Sequence, residues 1–273
     1  MTRKIIAAVT VALLGSCLCL QAQTSSKKRD EAFAKLPDWS GLWELDAYAG
    51  QSAGQQLSPE GRRKYQAYIA AMHPAFNAAW RAKYEQAKQA LDAAIAADPD
   101  DPPATFQPCV APPFPATVLP GIYEWRVTPE EATLLNSLGS VRHIYTDGRS
   151  HPPKDELWPT SMGDSVGHWE GDTLVVDTVA TKPQLDVVER DVFEATVPMS
   201  DQLHFVERIR MANRNEMQIQ FTTEDPVALA KPIEVTITWE RVTDLNRMAN
   251  ENDCDPATER NPVVNGRFTT VVR

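Results

Sequence analysis

The sequence predicts a mainly β protein, an antiparallel β-barrel interrupted by a helical insertion. Three observations carry this reading. From Gly121 onward, short segments alternate apolar and polar residues and are separated by turns bearing Asn, Asp or Gly. Residues 57–98 break that texture with long runs of strong helix formers. No α/β alternation, internal repeat or Gly-rich phosphate loop runs through the 273 residues.

The chain opens with Arg3 and Lys4, an apolar run from Ile5 to Leu14, and then small and polar residues. This is the pattern of a signal peptide over 1–22, with a basic start, a short apolar centre and a cleavage zone. The apolar run is shorter than the roughly 20 residues a membrane span needs, and no later stretch is long enough either. The expectation is a periplasmic or secreted protein with no transmembrane segment. A second processing reading stays open. Leu14-Gly15-Ser16-Cys17 resembles a lipobox, which would make Cys17 a lipid anchor and the protein a lipoprotein.

Removing the leader cations takes the formal charge from −10 to −12 and leaves no basic run beyond Lys27, Lys28 and Arg29. Nucleic acid and anionic membrane surfaces are therefore poor partners. The remaining cysteines, Cys109 and Cys254, are expected to form a disulfide in an oxidising compartment, the alternative being two independent buried thiols. Closing so long a loop would stabilise the fold by about 4–5 kcal/mol on chain entropy alone. Residues 23–36 read as a flexible tether, and 37–273 as a single domain, since 42% hydrophobic content suffices for one full core.

In order, the elements justify themselves as follows. DWSGLWELD reads as a first strand around Gly41. Its W-x-G-x-W pattern, Trp39 to Trp43, resembles the opening strand of lipocalin-like barrels, where a Trp closes the barrel base. Ser58, Pro59 and Glu60 supply an N-cap, a first helical position and an acidic first turn. His73-Pro74 ends or kinks this helix. A second helix resumes, with Trp80, Tyr84, Ala87 and Leu91 on one face, and stops at Asp98-Pro99. Residues 99–120 are too proline-rich for a helix or a central strand. Eight strands follow, in IYEWRVT, ATLLNS, SVRHIYTD, SVGHW, TLVVDTVAT, QLHFVERIRM, EMQIQFTTE and IEVTITWERV. With the Trp39 strand they suffice to close a barrel around one small cavity.

Period-two alternation then assigns faces. Leu203, Phe205, Glu207, Ile209 and Met211 share one face, so Glu207 is a carboxylate on an apolar surface. Such a group must be paired, hydrogen-bonded or protonated. Ile233, Val235, Ile237 and Trp239 line another inner face. Val141, His143 and Tyr145 share a face and are assigned to the interior with Glu207, together with Asp177. That composition suits a small apolar or aromatic molecule. In this reading His143 and Glu207 are catalytic base and acid, Tyr145 donates to a developing oxyanion, and Arg149 or His151 orients an anionic ligand group. Asp177, Phe205 and Trp239 complete the substrate-binding set. The bland alternative pairs Glu207 with Arg142, Arg208 or Arg210 and treats His143 as a satisfied interior histidine.

Asp147-Gly148-Arg149 also reads as a plain turn, and Trp169 to Thr173 as a strand–turn–strand with Gly171 at its apex. No H-E-x-x-H, C-x-x-C or G-x-S-x-G motif is present, so neither a metal, a cofactor nor a serine nucleophile is called for.

IYTDGRSHP, GDSVGHWEGDTLVVDT, FVERIRM, the late Cys254 and the prolines around Cys109 together resemble a widespread, uncharacterised family of exported bacterial proteins. The resemblance covers roughly residues 99–260 and implies a lipocalin-like barrel. The chain departs from it in the Ala-rich insertion and at His143, where the family pattern has Arg. That departure makes His143 a candidate for a specialised role. The expected function is a pocket protein for a small, largely apolar molecule, with any conversion being cofactor-free lyase or isomerase chemistry. The competing expectation is a structural or interaction protein of the envelope with a polar-plugged barrel.

Overall fold

A computed structural model describes residues 27, 29–49, 57–97, 114–115, 121–137, 139–182, 184–188, 193–244, 263–264 and 267–268. The expected signal peptide over 1–22, Cys17, Cys109 and Cys254 lie outside the described residues. No described helix is long and apolar enough to cross a membrane.

The expected barrel is present and closed. Nine strands join edge to edge: β1 (Gly41–Leu45), β11 (Ile233–Val242), β10 (Glu216–Glu224), β9 (His204–Asn213), β6 (Thr173–Val179), β5 (Asp164–Glu170), β4 (Val141–Tyr145), β3 (Glu131–Asn136) and β2 (Ile122–Val127), which returns to β1. Closure removes the unpaired edges that invite aggregation. The expected purely antiparallel arrangement needs one correction, because β4 and β5 run parallel, with Ile144 opposite Ser165. Parallel neighbours need a connection that carries the chain back along the strand. Residues 146–163 provide it, where a meander of tight turns was expected. Between β6 and β9 the chain leaves the wall to form a separate hairpin, β7 (Gln184–Val188) with β8 (Phe193–Pro198).

Aromatic residues fill one end. Trp43 is fully buried and donates Nε1–H to the Trp39 carbonyl at 3.0 Å. The Arg241 guanidinium lies 4.2 Å over the Trp43 ring, and Nη2 reaches the Asp38 carbonyl at 3.0 Å. Trp39 meets both Trp125 and Trp169 edge to face at 5.4 and 5.1 Å. The first strand thus brings both of its tryptophans into the aromatic packing at this end of the barrel. Tyr123 stacks on Trp239 at 4.2 Å deeper inside.

The residues read as a tether include a helical segment, α1, at 29–33. Arg29 donates from Nη1 to the Asp147 carbonyl at 2.7 Å, which docks α1 against the turn after β4. Of the two insertion helices, α2 (Pro59–Met72) starts at Ser58, whose Oγ accepts from Gly61 N–H at 3.0 Å, and ends at His73. β1 covers only the last part of β11, from Trp239 onward. Beyond it, α2 lies against β11, and the Tyr68 hydroxyl accepts the Thr238 N–H at 3.3 Å while donating to Asp46 at 3.0 Å. Gly61 permits the close approach of α2 to the turn at Asp46–Tyr48, since a Cβ there would sit 2.2 Å from the Ala47 carbonyl oxygen. The second insertion helix, α3 (Ala78–Ala97), buries Tyr84 and runs against β8.

Candidate functional site

Inside the barrel, away from the Trp43 end, one charged group faces another. Glu207 is 1% exposed and Arg142 3%. Nη1 of Arg142 donates to Glu207 Oε1 at 3.1 Å, and Nη2 pairs with Oε2. Nε donates to Ser165 Oγ at 3.2 Å, and Nη2 to Thr178 Oγ1 at 2.8 Å. This bidentate fork with hydroxyl support satisfies a buried ion pair that would otherwise be strongly unfavourable. The Arg142 guanidinium lies 3.9 Å over the Phe114 ring, which meets Phe205 edge-on at 5.0 Å and Phe221 at 5.4 Å. Phe114 belongs to the proline-rich connection, not to the wall. Its amide donates to the Ser161 carbonyl at 2.8 Å.

Glu207, Phe205 and Trp239 therefore face inward as alternation predicts, along with Leu203, Ile209 and Met211. The assignment of His143 and Tyr145 is corrected. Ala132 and Leu134 of β3 point into the core, and Ile144 and Arg142 stand opposite them, so Arg142, Ile144 and Thr146 are the inner residues. His143 is exposed on the outer surface and pairs with Glu131. It stacks on Tyr145 at 6.4 Å, and Arg149 covers the other ring at 3.9 Å. His143 and Tyr145 are thus separated by the barrel wall from Glu207, so the three do not form one site. Arg149 is held to Asp147, whose Oδ1 also accepts the Arg149 amide at 3.1 Å, completing the turn.

Asp177 also faces outward, because Leu174, Val176 and Thr178 are the inner residues of β6. On the outer face it joins a chain of side chains that the sequence reading did not assemble. His151 Nδ1 meets Asp164, and its Nε2 meets Asp177 Oδ1 at 3.0 Å. His204 Nε2 meets the same Asp177 oxygen at 3.1 Å, and its Nδ1 meets Glu224 at 3.4 Å. Asp164, Asp177, His204 and Glu224 lie on the neighbouring strands β5, β6, β9 and β10, and His151 comes in from the 146–163 connection. The Asp177 carboxyl lies below the usual carboxylate range, chiefly because His204 hydrogen-bonds to it, against a desolvation that raises it. The His204 imidazole is correspondingly held above its ordinary value by Asp177, and Glu224 adds to this.

Among the described residues, no group of three His, Cys, Asp or Glu side chains is arranged to hold a metal ion. The sequence reading named Arg142 only as one alternative partner of Glu207, and missed Ser165, Thr178 and Phe114 inside and Asp164, His204 and Glu224 outside. One signal was available for Arg142: a carboxylate on an inner face calls for an inner cation, and Arg142 was among its named partners. The outer chain spans four strands and leaves no local pattern. No family model, curated protein or solved structure matches this chain.

Proposed function

We propose that the chain is an exported interaction protein of the cell envelope. Its barrel is a polar-plugged scaffold, and its working surface is the 146–163 connection. The observation that carries this reading is the saturation of the interior pair. The hydrogen bonds of Arg142 run to Glu207, Ser165 and Thr178, and Phe114 covers the guanidinium face. Among the described residues, the carboxylate and the guanidinium of the interior are thus engaged with each other rather than turned toward open space. Outside, by contrast, Trp158 is 83% exposed on the connection, between prolines 153 and 159. An indole held in water on a fixed loop is the kind of anchor that protein interfaces use. Acid–base catalysis by His143 with Glu207 does not enter the proposal, because the barrel wall separates them.

A second reading keeps the pocket for a small apolar or aromatic molecule. It is favoured by one observation: the ring over Arg142 comes from outside the wall, where a ligand ring could take its place. Native mass spectrometry of the gently purified protein separates the two. A mass equal to that of the chain supports the plug. A stoichiometric organic ligand, lost on denaturation, overturns it in favour of the pocket.

A further inference from the structure

All four ring nitrogens of His151 and His204 face carboxylate oxygens. An ionised carboxylate only accepts, so each contact is a hydrogen bond only if the nitrogen bears a proton. A neutral imidazole carries one N–H. Two neutral rings would therefore turn two of the four contacts into a lone pair against an anionic oxygen. Three carboxylates and two imidazolium rings make a chain of alternating charge, whereas three carboxylates and two neutral rings do not.

His151 is what this chain fastens. The C-terminal half of the 146–163 connection is tied by backbone bonds: Thr160 N–H to Ala180 O at 3.0 Å, Lys182 N–H to Thr160 O at 2.8 Å, and Phe114 N–H to Ser161 O at 2.8 Å. The N-terminal half, residues 149–158, meets the wall through Arg149, 3.9 Å over the Tyr145 ring, and through His151, and the exposed pair Lys154–Asp201 at 2.8 Å ties it to the turn before β9. Trp158 stands between these two fastenings.

We propose that Asp164–His151–Asp177–His204–Glu224 is a proton-operated latch. It holds the N-terminal half of the connection, and the approach to Trp158, against the barrel when both imidazoles are protonated, and releases it when they lose their protons. Arg149, attracted to Asp164, and the Lys154–Asp201 pair are the other charges around the latch. The sign follows from the partners. Asp177 and Glu224 hold His204 above its ordinary 6.5, so its contribution is complete below that value and is lost as the pH rises through the raised one. Asp177 lies below its ordinary 3.8, so its contribution fails only in strong acid. The latch is thus closed in mild acid and opens as the pH rises through the raised His204 value. Its role in presenting Trp158 rests on the interaction reading, whereas the latch itself does not.

Nuclear magnetic resonance of the isotope-labelled whole protein tests it, with imidazole titrations and backbone relaxation recorded from about pH 5 to about pH 9. The chain has five histidines, so His151→Gln and His204→Gln assign the two rings. The expected result is that the His204 ring titrates above the ordinary histidine value. Amides of residues 150–158 gain mobility across the same step, and His151→Gln abolishes that step. Unchanged loop mobility across the titration, or a mobility step that survives His151→Gln, overturns the latch. These spectra need no partner, so they fail independently of the interaction reading, which falls instead if the native mass reveals an organic ligand.

Discussion

Two polar clusters sit back to back across one barrel wall, and they obey different physics. Thr178 points inward to Arg142, while its neighbour Asp177 points outward to His151 and His204. Ser165 and Asp164 repeat the arrangement one strand away. The inner cluster is sheltered from water, so its charges must be matched in place, and a missing partner is severely felt. The outer cluster is half solvated, with the Asp177 side chain 46% exposed. Its interactions are individually weak and adjustable by pH. Buried position makes a charge structural, while partial exposure makes one responsive.

The largest effect that would sharpen this contrast is at Glu207. Glu207→Leu strands the Arg142 guanidinium inside the barrel and is expected to destabilise the fold by about 3–5 kcal/mol in urea denaturation. Phe114→Ala comes next. It uncovers the guanidinium and leaves a cavity between Phe205 and Phe221, for an expected loss of about 3 kcal/mol by the same measurement. At the outer cluster, Asp177→Asn removes the negative charge both histidines share. Its expected cost is about 1 kcal/mol at most, since solvent screens the site. That difference should be seen in mild acid and should fade as the pH rises through the raised His204 value, where the His204 contribution is lost. Thermal unfolding of both proteins at two pH values checks it, and a loss that grows with pH would break the comparison. Smallest is His143→Ala, on the exposed Glu131 pair, with an expected change under about 0.5 kcal/mol.

The architecture was largely legible because barrel strands advertise themselves by alternation. The nine expected wall strands are the nine observed, and Ser58 and Pro59 start α2 where their capping chemistry requires. Glu207 also stood out, as a lone carboxylate among Leu203, Phe205, Ile209 and Met211. What failed was the face of VRHIYTD. Val141, His143 and Tyr145 carry about as much apolar surface as Arg142, Ile144 and Thr146, so alternation alone could not choose. The choice is made by register against Ala132 and Leu134 and by the need of Glu207 for a cation, both long-range facts. The parallel pairing of β4 with β5 escaped for the same reason, since strand texture does not disclose direction. The outer chain was hidden because its hydrogen-bonded partners lie 13 to 27 residues apart, with no motif between them.

The central claim is that the Arg142–Glu207 pair plugs the barrel and serves no substrate. Its most direct test is a double-mutant cycle in urea with Glu207→Leu, Arg142→Met and the two combined. The account predicts that each single change destabilises strongly and that the double recovers most of the loss, because apolar side chains then fill the space without a stranded charge. Contradiction would be a single Glu207→Leu variant more stable than the parent, the behaviour of a charge kept for function at the expense of stability.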